Sequence, residues 1–141
     1  MVKKILVAFD GSEQSYQAFD FALDMSKMCP GAAVTIIVLS VAQPPEPIDI
    51  VEMDAMIDNA TRHYEDLFKG LREKAKERNY EIQTEVTIGH PADQIIRYAY
   101  ENACDMVVMG QRGKSTIERW MLGSVSKRVA THAACTVIIV K

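Results

Sequence analysis

Five short runs rich in β-branched residues, separated by four segments of helical period, constrain this chain more than any other feature. The runs are residues 3–9 (KKILVAF), 33–42 (AVTIIVLSVA), 82–88 (IQTEVTI), 104–109 (CDMVVM) and 135–140 (CTVIIV). Such runs bounded by turn residues predict strands. Four are nearly continuous in apolar residues, as strands covered on both faces are, whereas Ile82, Thr84, Val86 and Ile88 alternate with polar residues and predict an edge for the third. Ser12 is a good N-cap for a first helix in which Ala18, Ala22, Met25 and Cys29 recur, and Pro30-Gly31 ends it. Met53, Met56, Ala60, Tyr64, Leu67, Leu71 and Ala75 mark a longer second helix. Pro91 opens a third, with Ala92, Ile95, Ile96, Ala99 and Ala103 on one face, and Gly123-Ser124 opens a fourth carrying Val125, Val129 and Ala133. Strand and helix alternating in this way predict an α/β fold, an open five-stranded parallel sheet of order 3-2-1-4-5 with helices on both faces.

The 141 residues make one domain, 1–141, with no repeat or low-complexity tract. The plainly loop-like stretch, Gln43 to Ile48, holds three prolines and is too short to separate domains. Cys29, Cys104 and Cys135 are odd in number and share no close spacing, which argues against a disulfide framework and a zinc cluster and predicts reduced, mostly buried thiols. The longest apolar stretch, Ala32 to Ala42, is 11 residues, against the roughly 20 a membrane span needs. The opening MVKKILVAFDGS lacks a signal-peptide pattern, so a cytoplasmic protein is expected. A net charge of -3 offers no global attraction to nucleic acid or anionic lipid. The charge is unevenly spread, however. Between Gln111 and Arg128 the basic residues Arg112, Lys114, Arg119, Lys127 and Arg128 face only Glu118, a segment of +4 that leaves -7 elsewhere.

In open α/β sheets, ligands bind beyond the carboxyl ends of the strands where strand order reverses. Strand one runs out there into Ala8-Phe9-Asp10-Gly11-Ser12. Asp10 is placed to accept bonds from ribose hydroxyls, and equally Asp-Gly-Ser is ordinary turn and cap chemistry. Strand four runs out through Met109 into Gly110-Gln111-Arg112-Gly113, and nine residues later come Gly123-Ser124-Val125-Ser126 at the start of helix four. Glycines let backbone amides approach a phosphate chain, and a helix N-terminus supplies free N–H groups and positive dipole. Isolated turn glycines are the plainer alternative.

Other chemistry finds less support. Gly113-Lys114-Ser115 resembles the end of a P-loop, but the required first glycine is Val108, and no G-x-G-x-x-G fingerprint is present. Cys135 and His132 lie three apart, with Cys135 opening a strand expected to be buried, where free cysteine is usually inert packing. His63 and His90 have no metal-ligand spacing to another histidine or cysteine. No catalytic residue and no protein metal site are therefore expected.

The chain resembles the universal stress protein family from Lys3 to Val140. The matching features are VAFDGS after strand one, GHPADQI before helix three, and MGQRG with nine residues before GSVS, the family's G-x2-G-x9-G-[ST] ATP-binding signature. The resemblance implies a Rossmann-like, adenine nucleotide alpha hydrolase-like fold. It also implies phosphates against Gly110, Gly113, Gly123, Ser124 and Val125, with Asp10 near the ribose and adenine near Val41, Ala8 and Gly89. Met109 matches the same pocket. Gln111 stands where serine or threonine is common, Ser40 where histidine often stands, and Thr136 where proline often stands. The implied function is an ATP-binding stress-response regulator with slow or no hydrolysis. ATP, ADP or AMP would be the ligand, with Mg or Mn carried by the phosphates rather than by protein ligands. Two alternatives are a slow ATPase or phosphotransferase, and a dimeric scaffold with a vestigial nucleotide site. Thr136 to Val140, TVIIV, form an apolar sheet edge charged only at Lys141, and such an edge is one that proteins cover or pair. Related universal stress proteins are similar in dimerising through this strand, so a homodimer is expected there, beside unidentified protein partners.

Overall fold

A computed structural model of the chain describes residues 2–28, 33–44, 49–111 and 123–141. The elements run β1(Lys4–Ala8), α1(Glu13–Lys27), β2(Thr35–Ala42), α2(Ile50–Glu77), β3(Ile82–Ile88), α3(Pro91–Glu101), β4(Met106–Gly110), α4(Ser124–His132) and β5(Thr136–Val140). All strands pair in parallel in the order β3-β2-β1-β4-β5, as the alternation of segments predicts. The central strand, β1, aligns Ile5, Leu6 and Val7 with Ile36, Ile37 and Val38 on one side and with Met106, Val107 and Val108 on the other. Pro30-Gly31, the expected stop of α1, Cys29, and residues 45–48 of the proline loop lie outside the described residues, as do Arg112 and Gly113.

Alternate strand residues serve opposite layers. Ile5, Val7, Ile36, Val38, Met106 and Val108 pack with Phe19 and Leu23 of α1 and Phe68 and Leu71 of α2. Leu6, Ile37, Leu39, Val107 and Met109 pack with Ala92, Ile95 and Ala99 of α3 and Val129 of α4. Two dry layers follow from the period-two side-chain alternation of the strands. Ser12 caps α1 as expected, its Oγ accepting the Ser15 amide at 3.2 Å, and the structure adds Asp49 as the cap of α2, its Oδ1 accepting the Glu52 amide at 2.8 Å.

Several details differ from the periodicity reading. Helix α3 stops at Glu101, and Ala103, expected on its apolar face, is exposed in a left-handed conformation with φ 51°. The chain turns there because the Cys104 amide reaches back to the Ala99 carbonyl. Strand β4 begins at Met106 rather than 104, since Asp105 is diverted into holding the amino end of the sheet. Its Oδ2 accepts the amides of Lys3 and Lys4, each at 2.8 Å, and these bonds hold its carboxyl below the ordinary range. Strand β5 is half-buried rather than covered on both faces, because it is an edge. On α2 the buried positions are Tyr64, Phe68, Leu71 and Ala75, while Met53 is exposed.

Cys104 is buried and Cys135 half-buried, both as free thiols, so the expectation of burial holds for the first and only partly for the second. Burial pushes the Cys104 thiol up to about 11. Unfolding returns it to an ordinary thiol, with a pKa of about 8.5. The unfolded chain thus loses this proton first as pH rises; the associated stability is intact below that value and falls towards pH about 11. Urea midpoints measured across this alkaline range should drop for the wild type, and Cys104→Ala should lessen the drop. The remainder belongs to Tyr64, Tyr98 and Cys135, whose values burial also raises.

Candidate functional site

The carboxyl ends of β1 and β4 lie side by side, and their helices depart to opposite faces, α1 to one and α4 to the other. This is the strand-order switch point at which doubly wound sheets open a crevice. At the end of β1, Asp10 Oδ1 accepts the Ser12 amide at 2.9 Å, and Gly11 takes φ 84°, a left-handed turn suited to glycine. Asp10 therefore does the turn work that its local sequence offers. It remains half-buried at the edge of the sheet, and its charge raises the pKa of Tyr64, after the larger effect of burial on that phenol.

At the end of β4 the chain is pinned rather than loose. The Gln111 amide donates to the Val140 carbonyl at 2.9 Å, and the Gly123 amide donates to the Gln111 carbonyl at 2.9 Å. The two ends of segment 112–122 thus meet at one point. Buried Ser126 completes the closure, its hydroxyl 2.7 Å from the Gln111 carbonyl and 3.1 Å from that of Gly123. Gln111 is itself buried.

Helix α4 starts unlike the others. Its N-cap is Gly123, with no side-chain cap and no acidic residue in the first turn, whereas α1, α2 and α3 carry Glu13, Glu52 and Asp93 there. The first intrahelical bond is from the Lys127 amide to the Gly123 carbonyl at 3.0 Å, so the amides of Ser124, Val125 and Ser126 lie in the turn that makes no intrahelical bond. Ser124 is exposed and Val125 half-buried. An anion beyond this start would meet amide donors and dipole without a competing carboxylate.

The remaining expected residues divide into two groups. Ala8 and Val41 are half-buried and pack on the α3/α4 layer, and the Gly89 amide donates to the Ala42 carbonyl at 2.9 Å, so all three stand at the carboxyl edge. Phe9 and Met109 instead turn their side chains into the core. Phe9 meets Tyr16 edge-on at 5.0 Å and Phe68 at 6.2 Å, while its amide and carbonyl are engaged by the Leu39 carbonyl and the Ser40 hydroxyl. Phe9 and Ser126 thus each hold the fold together at this edge, and the Met109 side chain is buried in the α3/α4 layer. Arg112 and Gly113, with Lys114 and Arg119 of the basic stretch, lie outside the described residues. Arg128 bridges α4 to α3, Nε to Asp93 Oδ1 at 3.0 Å, so its charge is already partnered. His90 Nδ1 approaches the other Asp93 oxygen at 3.8 Å. Among the described residues no group of three or more His, Cys, Asp or Glu is arranged to hold a metal ion.

Two structural residues escaped the sequence reading. Ser40, noted only as a departure from a family pattern, is fully buried and bonds the Phe9 carbonyl at 2.7 Å, locking the end of β1 to β2. Gln14 sits where α1 comes closest to β4. A Cβ built on Gly110 would lie 2.8 Å from Gln14 Cβ and 3.0 Å from its carbonyl carbon. A lone serine in an apolar strand was the available signal for the first; no local signal announces the second.

A sequence model described as the universal stress protein family matches residues 1–141. The chain is 31% identical over 145 residues to a universal stress protein of Methanocaldococcus jannaschii, covering 100% of this chain and 83% of that one. Its fold is similar to that of universal stress protein UspA from Lactobacillus plantarum, with TM-score 0.86, 23% identity, and 99% and 98% of the two chains covered. It is also similar to a universal stress protein crystallised in complex with cAMP, with TM-score 0.75, 25% identity, and 99% and 97% covered.

Gly110 is the position where packing and ligand contact are to be told apart. The backbone of α1 stands too near for a side chain, so Gly110→Ala should lose about 1–3 kcal/mol of stability by overpacking. Chemical denaturation without nucleotide checks this, and an unchanged midpoint would leave ligand approach as the reason for glycine here.

Proposed function

The chain belongs to the universal stress protein family, and from that premise we propose that it is an adenine-nucleotide-binding regulator, with ATP as the foremost candidate ligand and slow or no hydrolysis. The observation that carries the proposal is the bare start of α4, with Gly123 as N-cap and no acid in its first turn, at the same sheet edge as Asp10. The complex of a 25% identical relative with cAMP supports the adenine class. The G-x2-G-x9-G-[ST] spacing of Gly110, Gly113, Gly123 and Ser124 supports the finer assignment to ATP.

In this reading the phosphates lie against the amides of Ser124 and Val125, with Gly113 and Arg112 contributing from the intervening segment. The ribose meets Asp10, and the base rests on the half-buried shelf of Ala8, Val41 and Gly89. Divalent Mg or Mn travels with the phosphates, which requires few protein ligands. Phosphoryl transfer would need a group to position water or an acceptor; Asp10 Oδ1 is engaged by its own turn, which favours a sensor over a catalyst. The thiols of Cys104 and Cys135, free rather than paired, suit a cytoplasmic protein.

Gly123 has φ -63° and ψ 160°, a conformation open to any residue. Gly123→Val should therefore fold, at a cost of about 1 kcal/mol for valine at an N-cap, yet abolish ATP binding in calorimetric titration, because its side chain would stand where phosphate approaches. Ser124→Ala removes at most one bond to a charged acceptor and should weaken binding by about 1–3 kcal/mol. Wild-type affinity in Gly123→Val would refute the assignment.

We further propose a homodimer through β5. Among the described residues its outer edge makes no sheet bonds, and antiparallel pairing about a twofold axis would satisfy both copies. Ile138 packs on the α1/α2 layer and Ile139 on the α3/α4 layer. Ile138→Lys and Ile139→Lys, made separately, should each shift sedimentation towards monomer while nucleotide binding persists. A wild type that sediments as monomer at micromolar concentration would refute the dimer.

A further inference from the structure

Helix α2 outruns the sheet it packs on. It has 28 residues, yet the buried ones begin at Tyr64; Ile50–His63, about 21 Å at roughly 1.5 Å per residue, is exposed except for the half-buried Met56, Ile57, Ala60 and Thr61. The apolar stripe does not stop with the core. Ile50, Met53, Ile57 and Ala60 continue, at alternating spacings of three and four, the line that carries Tyr64, Leu67 and Leu71 to the sheet. Ile50 is 80% exposed, Val51 78% and Met53 36%. Adjacent large aliphatic side chains this exposed on one helix are unusual for a surface that meets only water.

The border of the stripe is acidic. Asp49, Glu52, Asp54 and Asp58 flank it, and no lysine or arginine occurs from 49 to 61, a charge of -4. Two copies of this surface would repel each other, and an anionic bilayer would repel it as well. We propose that the protruding half of α2 is a docking surface for a partner protein, which presents a basic amphipathic helix whose apolar face lies along Ile50, Val51 and Met53 and whose lysines or arginines meet the four acids. Met53 and Met56 supply adaptable side chains of the kind such grooves use.

The test titrates the full-length protein with a synthetic helical peptide of leucine and lysine in amphipathic pattern, followed by calorimetry, with a leucine–glutamate peptide of equal length as control. Ile50 and Val51 are largely exposed, so Ile50→Ser with Val51→Ser should leave folding intact. This pair should weaken the lysine peptide by about ten-fold or more, as should Glu52→Lys with Asp54→Lys, and the glutamate peptide should not bind. An affinity that ignores either pair of substitutions would overturn the proposal. So would loss of self-association on Ile50→Ser with Val51→Ser in the absence of peptide, which would assign the surface to a second copy. Tighter peptide binding by Trp120→Ser would also overturn it, by assigning the surface to the chain's own residues 112–122.

Discussion

The pairing of β1 with strands on both sides is the constraint on which the rest depends. With β2 and β4 as its neighbours, β1 is the point at which the chain stops adding strands in one direction and begins adding them in the other. The helix leaving β1 must then pack on one face and the helix leaving β4 on the opposite one, so the carboxyl ends of the two strands have no helix between them. The opening follows from topology before any side chain is chosen. Leu6 and Val7, both fully buried, fix this strand by serving the two layers in turn.

Glycines near that opening do different kinds of work. Gly11 takes a left-handed conformation in the Asp10 turn, and Gly110 admits the backbone of α1 to the end of β4. Gly123 does not share the first constraint, since its backbone is extended. A spaced glycine motif read as one functional unit therefore contains at least one member, Gly110, that the packing of the fold itself requires.

The sheet order and the division into layers were legible because both follow from periods that repeat over many residues. The N-cap Ser12 and the edge position of β3 were legible for a similar reason, as each rests on local chemistry. What escaped was set by tertiary contact. The alanine at 103 continues a helical pattern, yet the need to return Cys104 to the sheet turns it left-handed. Phe9, next to the candidate aspartate, belongs to an aromatic cluster with Tyr16 and Phe68, which come from two different helices. In the candidate site, Asp10 and the start of α4 were singled out from sequence, but the closure built from Gln111, Ser126 and Val140 was not, because three of its four bonds join residues more than ten positions apart by backbone or side-chain groups that carry no motif.

That closure explains how a helix with a bare start is held in place. A glycine N-cap typically costs only about a few tenths of a kcal/mol relative to a side-chain cap, and α4 also forgoes a favourable first-turn acid. Its position is secured instead from the side, by the Gly123 amide and the Ser126 hydroxyl converging on the Gln111 carbonyl, and by Val129 buried in the α3/α4 layer. Gln111 is in turn tied to Val140 at the end of β5. A carboxylate cap would fix the same helix more simply, but it would set a negative charge against any anion approaching the amides of Ser124 and Val125. Holding the helix through neutral carbonyls stabilises its start while, among the described residues, setting no carboxylate against the positive end of its dipole, an arrangement suited to the anionic ligand proposed above.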